Sequence, residues 1–431
     1  MVSDSFSVNA QNHLTIGGVD TVGIAQQYGT PVYVMDEDKI RANAHAFAES
    51  MRHCYGGNGL VLFASKAFCC KQMHKICLEE GLGLDVVSGG ELYTAKSAGF
   101  PMEKICFHGN NKSIAELEMA VSLGVGRIVV DNLTELEHLD YIASSHNTTA
   151  AILLRVKPGV EAHTHEFIRT GQIDSKFGFA LETGEADAAV RRAASLGHIC
   201  LKGFHCHIGS QIFDMEPFKE AAKVMLDFMA RMQTETGCAY TELNLGGGFG
   251  IRYKESDNPP ALSDYMEYVS AFLRTYCAQI GLQMPFIYIE PGRSIVADAG
   301  LTLYTVGSVK TIPDVRTYVC VDGGMFDNPR YILYQAEYEV VVANRAGDAR
   351  DQIVTVAGKC CESGDLIQEH TPLQSVQPGD TLAVLCTGAY NYSMASNYNR
   401  NPKPPVVMVR GGECRIAVRG ETYEDLLRFD E

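Results

Sequence analysis

Short apolar runs alternate with amphipathic stretches through the middle of this chain. Between residues 60 and 290 the runs fall at 60–64, 82–87, 104–107, 127–130, 150–156, 200–207, 241–245 and 286–289. Each is rich in β-branched or large apolar residues and bounded by polar sequence, the pattern of a strand buried on both faces. Between them lie segments with apolar residues at helical spacing, for example 91–98, 114–123, 133–142 and 218–232. Regular alternation of this kind predicts a closed (β/α)8 barrel of the TIM type rather than an open doubly wound sheet. The gap between the fifth and sixth runs is long and leaves 157–180 as an extended loop, which at the catalytic end of a barrel is more often functional than idle.

The flanks read differently. Residues 1–36 carry a strand at 13–16, a turn at Gly17-Gly18, a short helix and a strand at 31–35. Asp36 is placed to cap a helix bearing Ile40, Ala44 and Phe47. Past about residue 300 the helical spacing stops. Runs at 301–310, 316–321, 338–343, 353–357, 381–386, 405–409 and 414–418 read as strands separated by Gly, Pro, Asn and Asp, with a last helix at 423–429. The expected division is a barrel over 37–298 and an all-β domain, β-barrel or sandwich-like, over 299–431, to which the strands of 1–36 contribute.

Composition narrows the function. A length of 431 residues suits two domains, and the formal net charge of −16 argues against nucleic acid and anionic membrane surfaces as partners. No apolar run approaches the length of a membrane span and no leader pattern opens the chain, so a soluble, cytoplasmic protein is expected. The fourteen cysteines are scattered, and the adjacent pairs Cys69-Cys70 and Cys360-Cys361 have the wrong spacing for a zinc knuckle. Most read as reduced, buried small hydrophobes.

The candidate chemistry collects at the C-terminal ends of the expected barrel strands, where such barrels place their sites. In order these ends carry Lys66; Asp85 and Ser88; His108-Gly109-Asn110; Asp131; Arg155; His205, His207, Ser210 and Gln211; Asn244 with Gly246-Gly247-Gly248; and Glu290-Pro291-Gly292-Arg293. A desolvated lysine is pushed toward its neutral form, in which it can attack a carbonyl and form a Schiff base. The glycine triplet lets backbone N–H groups approach an anion closely. His205 and His207 share one strand face and invite a metal, but the further ligands a metal needs are supplied only loosely, so no metal is expected. A lysine, a phosphate cradle, a flat imidazole and a carboxylate together suggest pyridoxal 5'-phosphate. In that arrangement Glu290 would keep the pyridine nitrogen protonated and the ring a strong electron sink, which suits decarboxylation.

The chain resembles the barrel-fold pyridoxal-phosphate decarboxylases, and within them the diaminopimelate decarboxylase branch. The motifs are Phe63-Ala64-Ser65-Lys66-Ala67, Val87-Ser88-Gly89-Gly90-Glu91-Leu92, His205-Cys206-His207-Ile208-Gly209-Ser210-Gln211, Gly246-Gly247-Gly248, Glu290-Pro291-Gly292-Arg293 and Cys361-Glu362-Ser363-Gly364-Asp365. The loop from His163 to Gly171, followed by Asp174-Ser175-Lys176-Phe177-Gly178, resembles this branch more than the ornithine or arginine decarboxylases. Much of the broader family has Tyr and Asn at the outer positions of the lysine motif, where this chain has Phe63 and Phe68. The resemblance implies that Lys66 is the Schiff-base lysine, His207 stacks on the cofactor ring and Glu290 pairs with its nitrogen. It implies that Ser210, Gly246, Gly247, Gly248 and Tyr390 hold the phosphate, bordered by Gly292 and Arg293. Cys361 would be the general acid that reprotonates the carbanion, reaching the site of the neighbouring subunit in a homodimer with its active sites at the interface. Arg293, Arg330, Tyr334, Glu362 and Tyr390 are similar to the substrate-binding set.

The expected reaction is decarboxylation of meso-2,6-diaminopimelate to L-lysine and CO2, a step of lysine biosynthesis. Two arginines, with Glu362 to meet an ammonium, suit a substrate whose far end is itself an amino acid, since a guanidinium grips a carboxylate through two charge-assisted hydrogen bonds. The alternatives are a related decarboxylase of another basic or carrier-linked amino acid, of ornithine, arginine or carboxynorspermidine type; a racemase; a metal-dependent barrel hydrolase; and a non-catalytic relative.

Overall fold

In the computed structural model, which describes residues 1–160 and 174–431, the eight apolar runs of the middle region form eight parallel strands. They are Gly59–Ala64, Gly83–Val86, Ile105–Phe107, Arg127–Val130, Ala150–Lys157, Ile199–His205, Glu242–Asn244 and Phe286–Ile289. Each pairs with the next in sequence, and the eighth pairs back onto the first through Ile287 and Gly59, which closes the barrel. Inside it Leu62, Cys106, Val129, Leu153 and Tyr288 pack together, all buried. Strands covered inside by such a core and outside by helices have no solvent face, which is why their sequences are near-continuous apolar runs.

The helices after the strands start at designed points. Ser88 caps Gly89–Ser97 by accepting the Glu91 N–H, Ser113 forms a capping box with Glu116, and Asn132 caps Leu133–Ser145. Ser88, a strand-end polar residue in the sequence, is thus a helix cap. Of the long fifth-to-sixth connection, the two-residue strand Phe179–Ala180 runs parallel to the end of the fifth strand. Residues 163–171, the loop of the resemblance, lie outside the described residues.

The chain divides into two compact units, one of Ala44–Gly250 with Pro259–Gly292, the other of Met1–Asn43, Ile251–Asn258 and Arg293–Glu431. The second is mostly sheet. Its long strand Gly300–Ile312 pairs with Val32–Asp36, Arg316–Val321 and Thr381–Leu385, so the amino-terminal strand does join the carboxy-terminal sheet. Val406–Arg410 flanks Val32–Asp36 on the other side, in parallel. Asp36 accepts the Lys39 N–H at 3.0 Å and caps helix Glu37–Tyr55, as its sequence position suggested. The longest strand that escaped the sequence reading, Leu366–Leu373, holds four charged or polar residues in a row, Gln368 to Thr371, and Pro372. It lies at the end of the strand order, where a residue without an N–H is tolerated.

All fourteen cysteines are free. Among the described residues no helix is long and apolar enough to cross a membrane.

Candidate active site

The polar residues at the C-terminal ends of the barrel strands surround a cavity of about 320 Å³. Lys66, Asp85, His108, Arg155, His207 and Glu290 line it. Lys66 sits in the single turn Ser65–Ala67 that follows the first strand; both of its neighbours are buried and its own side chain is exposed. The turn is locked by burial of Ser65 and Ala67 while the amine is left to project. The strand end keeps the backbone inside the fold and lets the side chain reach into the cavity, where its charge acts on Asp85 and His207.

Glu290 is the hub of the cavity wall. Asn244 donates to its Oε1 at 2.6 Å, His108 Nε2 lies 2.7 Å from the same oxygen but off hydrogen-bonding alignment, and His205 Nε2 lies 3.3 Å from Oε2. Burial acts to raise the carboxyl's pKa, yet the two imidazoles close to it and the hydrogen bond with His205 outweigh it and hold Glu290 well below the usual range. Burial pushes His205 down to about 4, against the pull of Glu290, so a neutral imidazole faces an ionised carboxylate.

The glycine turn is built into the same wall. Gly246 N–H donates to Asn244 Oδ1 at 2.9 Å, and Glu290 N–H donates to Gly246 O at 2.8 Å. Gly247 N–H donates to His207 Nδ1 at 3.2 Å. That bond makes Nδ1 the acceptor, so the proton of the neutral ring sits on Nε2. Burial and the charge of Lys66 hold His207 in that neutral form. A Cβ on Gly246 would lie 2.5 Å from Cys206 O and 2.9 Å from His207 Nδ1, so only glycine lets the turn pass this close. The segment with Ser210 runs alongside: Ile212 N–H donates to Gly248 O at 3.0 Å, and Ile212 bridges Phe249. Gly292 packs between Ala64 and Ala67, beside the lysine turn. Asp131, at the end of the fourth strand, accepts the Gly178 N–H at 2.8 Å and anchors the returning loop.

The remaining expected residues belong to the other compact unit. Arg293 and Arg330 are both buried and both donate to one hydroxyl, that of Tyr253, at 2.7 and 3.3 Å. Arg330 also donates to Tyr338 at 2.6 Å, and the Tyr390 ring lies 5.0 Å from the Arg293 guanidinium and 5.6 Å from that of Arg330. Tyr390 itself has φ +64°, a conformation that aims its side chain at some backbone cost. Tyr334 closes the short helix Arg330–Tyr334 and is half-buried. Cys361 is exposed on a loop held from its buried side by Asp365, whose carboxylate accepts N–H groups of Cys360 and Met325 at 2.7 and 2.6 Å. Asn399 accepts the Cys361 N–H at 2.8 Å, and Tyr398 donates to Glu362 at 2.6 Å.

The sequence reading thus gathered Lys66, His207 and Glu290 around one cavity, and Arg293, Arg330 and Tyr390 in one cluster. It missed Tyr253 and Tyr338. Nothing in local spacing marks a tyrosine that meets an arginine 77 positions away. It noted His108 and Asn244 at strand ends without giving them work.

The barrel groups fit pyridoxal phosphate: a projecting amine, an ionised carboxylate, a neutral flat imidazole and a glycine turn share one cavity wall. Residues 37–297 match the family described as pyridoxal-dependent decarboxylase, pyridoxal binding domain. The chain is 52% identical over 423 residues to the diaminopimelate decarboxylase of Halalkalibacterium halodurans, covering 98% of this chain and 96% of that one. It is 51% identical over 422 residues to that of Bacillus subtilis, with 98% and 96% covered. Among solved structures, the diaminopimelate decarboxylase of M. jannaschii in complex with L-lysine superposes with a TM-score of 0.92 at 33% identity, over 100% of this chain and 98% of that one. A closed barrel with its polar groups at one end, a second unit that is mostly sheet, and a sequence alike over nearly its whole length leave one conclusion: this chain belongs to the pyridoxal-dependent decarboxylases, in the diaminopimelate decarboxylase family.

Proposed function

We propose that this chain catalyses the pyridoxal-phosphate-dependent decarboxylation of meso-2,6-diaminopimelate to L-lysine and CO2. The observation that carries the reading is one cavity holding an amine, Lys66, and an ionised carboxylate, Glu290, in a chain whose full-length relatives are diaminopimelate decarboxylases. When bound, pyridoxal phosphate supplies a protonated ring that accepts the electron pair left at the substrate's Cα as CO2 departs. Lys66 holds the cofactor through its amine. Glu290 would hold the proton on the ring nitrogen, and His207, its tautomer set by Gly247, would stack on the ring. Ser210, Gly246, Gly247, Gly248 and Tyr390 hold the phosphate, bordered by Gly292 and Arg293.

Cys361 delivers a proton to Cα from an exposed loop, and we assign it and Glu362 to the site of the partner subunit in a homodimer. Arg293 and Arg330 grip the distal carboxylate, Glu362 meets the distal ammonium, and Tyr334 and Tyr390 flank the substrate. Burial of both guanidinium groups supports this role, because a charged donor out of water needs an anion. Fourteen free cysteines and the strongly negative charge support a cytoplasmic enzyme.

The test is CO2 release from meso-diaminopimelate, with and without added pyridoxal phosphate, against ornithine, arginine and L-lysine. Turnover of diaminopimelate alone is expected, since a substrate lacking the distal carboxylate forgoes its charge-assisted hydrogen bonds with the two arginines. Comparable turnover of ornithine or arginine would assign the chain another substrate.

A further inference from the structure

The carboxylate at the centre of the cavity is held more tightly than a single ion pair to a cofactor requires. Glu290 and both histidines beside it are buried, at 7%, 4% and 1% exposure for Glu290, His108 and His205. The two imidazole rings meet edge to face with centroids 4.7 Å apart and approach the carboxylate together, one toward each oxygen. Asn244 meets only Oε1, the oxygen that His108 also approaches. With Asn244 alone, no side-chain hydrogen bond among the described residues would hold Oε2, and the carboxylate could swing about its Cγ–Cδ bond. With His205 at Oε2 that rotation is blocked.

Charge follows from the same contacts. A carboxyl buried this deeply takes up a proton unless donors meet it. Protonated, it could no longer hold a proton on a neighbouring ring nitrogen. Asp85 sits 3.7 Å from His108 Nε2, a second buried acid whose own carboxyl burial pushes upward. His108 therefore stands between two acids and favours charge on Glu290, the nearer of them.

We propose that His108 and His205 are positioning residues, a two-imidazole clamp that sets the orientation and the negative charge of the Glu290 carboxylate toward the cofactor's ring nitrogen. This rests on the reading of the cavity as a pyridoxal-phosphate site. The clamp acts through Glu290 and has no contact of its own with the substrate. His108, His205 and Glu290 offer ligand atoms within 4.8 Å of one another, so a metal ion is the competing occupant. Asn244 donates to Oε1 and so competes with a metal at that oxygen, and a metal assay of the purified protein decides between the two.

The experiment measures binding to the apoprotein. Two ligands are titrated by absorbance: pyridoxal phosphate, and its analogue with C–H in place of the ring nitrogen. Asn and Gln replace His205 and His108 one at a time. A glutamine amide reaches the position of the imidazole Nε2, whereas an asparagine amide stops short. Thermal melting of each apoprotein shows that it is folded. His205→Asn is expected to lose about tenfold in affinity for pyridoxal phosphate, the worth of one charge-assisted hydrogen bond, and His108→Asn to lose affinity in the same sense, each with no loss for the analogue. His205→Gln and His108→Gln are expected to restore it. Equal loss for both ligands, or no loss for either, overturns the clamp, as does a stoichiometric metal in the purified wild type. Failure of the wild type to bind pyridoxal phosphate at all would instead overturn the proposed cofactor site.

Discussion

Substituting Gly247 by alanine tests whether the glycine turn sets the position of Glu290. The obstacle is space, since a Cβ built on Gly247 falls 2.2 Å from the carbonyl oxygen of Glu290 and 3.1 Å from its carbonyl carbon. Real Cβ contacts essentially never fall below 3.0 Å, so the two segments must part by most of an ångström. Neither can move alone. Glu290 N–H is bonded to Gly246 O, and the next residue, Pro291, accepts the Ala64 N–H at 3.1 Å at the end of the strand that leads to Lys66. The Gly247 N–H also carries His207. Displacement therefore reaches all three groups of the cavity wall at once. Overpacking of this kind costs about 1–3 kcal/mol of stability. A misplacement near 1 Å in a catalytic constellation costs roughly 100-fold in rate. Gly247→Ala is expected to show both, read by denaturant unfolding and by turnover at saturating pyridoxal phosphate. Gly197→Ala, where a Cβ meets nothing within 4 Å, is the control and should behave as wild type. A Gly247→Ala protein indistinguishable from that control would refute the coupling of turn and carboxylate.

Tyr253→Phe keeps the ring but removes the oxygen that accepts from both Arg293 and Arg330, so each buried guanidinium loses one acceptor. KM for the substrate should rise about tenfold or more, with kcat less affected, because hydrogen bonds to charged groups contribute about 1.5–3 kcal/mol; an unchanged KM would remove Tyr253 from the arginine cluster's function. Asp327 is fully buried, accepts from the Tyr304 hydroxyl and the Gly324 N–H, and burial pushes its carboxyl up to about 8 from 3.8. The folded state therefore keeps a proton that the unfolded chain releases near pH 4, so this group's contribution is fully present below that pH and is lost as pH rises through about 8. Asp327→Asn should flatten the fall of melting temperature across that window, and an unaltered slope would show that Asp327 is ionised in the folded protein.

Much of the barrel could be read from the chain because its signal is local. A parallel strand buried on both faces must be a short apolar run, and the eight runs found by pattern coincide with the eight strands to within two residues at each end. Asp36 and its helix were legible for the same reason, since a cap acts within three residues of itself. The strand Leu366–Leu373 was not, because an edge strand with one wet face and a proline carries no such run.

The site divides along the same line. That Lys66, His207 and Glu290 stand at strand ends follows from the order of strands and polar residues in the sequence, and closure of the barrel then forces strand ends to converge. Sequence order could not say that His108 and His205 face the two oxygens of one carboxylate, or that Gly247 carries a histidine and crowds Glu290. Nor could it join Tyr253 to Arg330. Those relations link residues tens of positions apart whose separation is set by packing alone. Periodicity reports which face of an element is buried; only the assembled fold decides which buried groups meet.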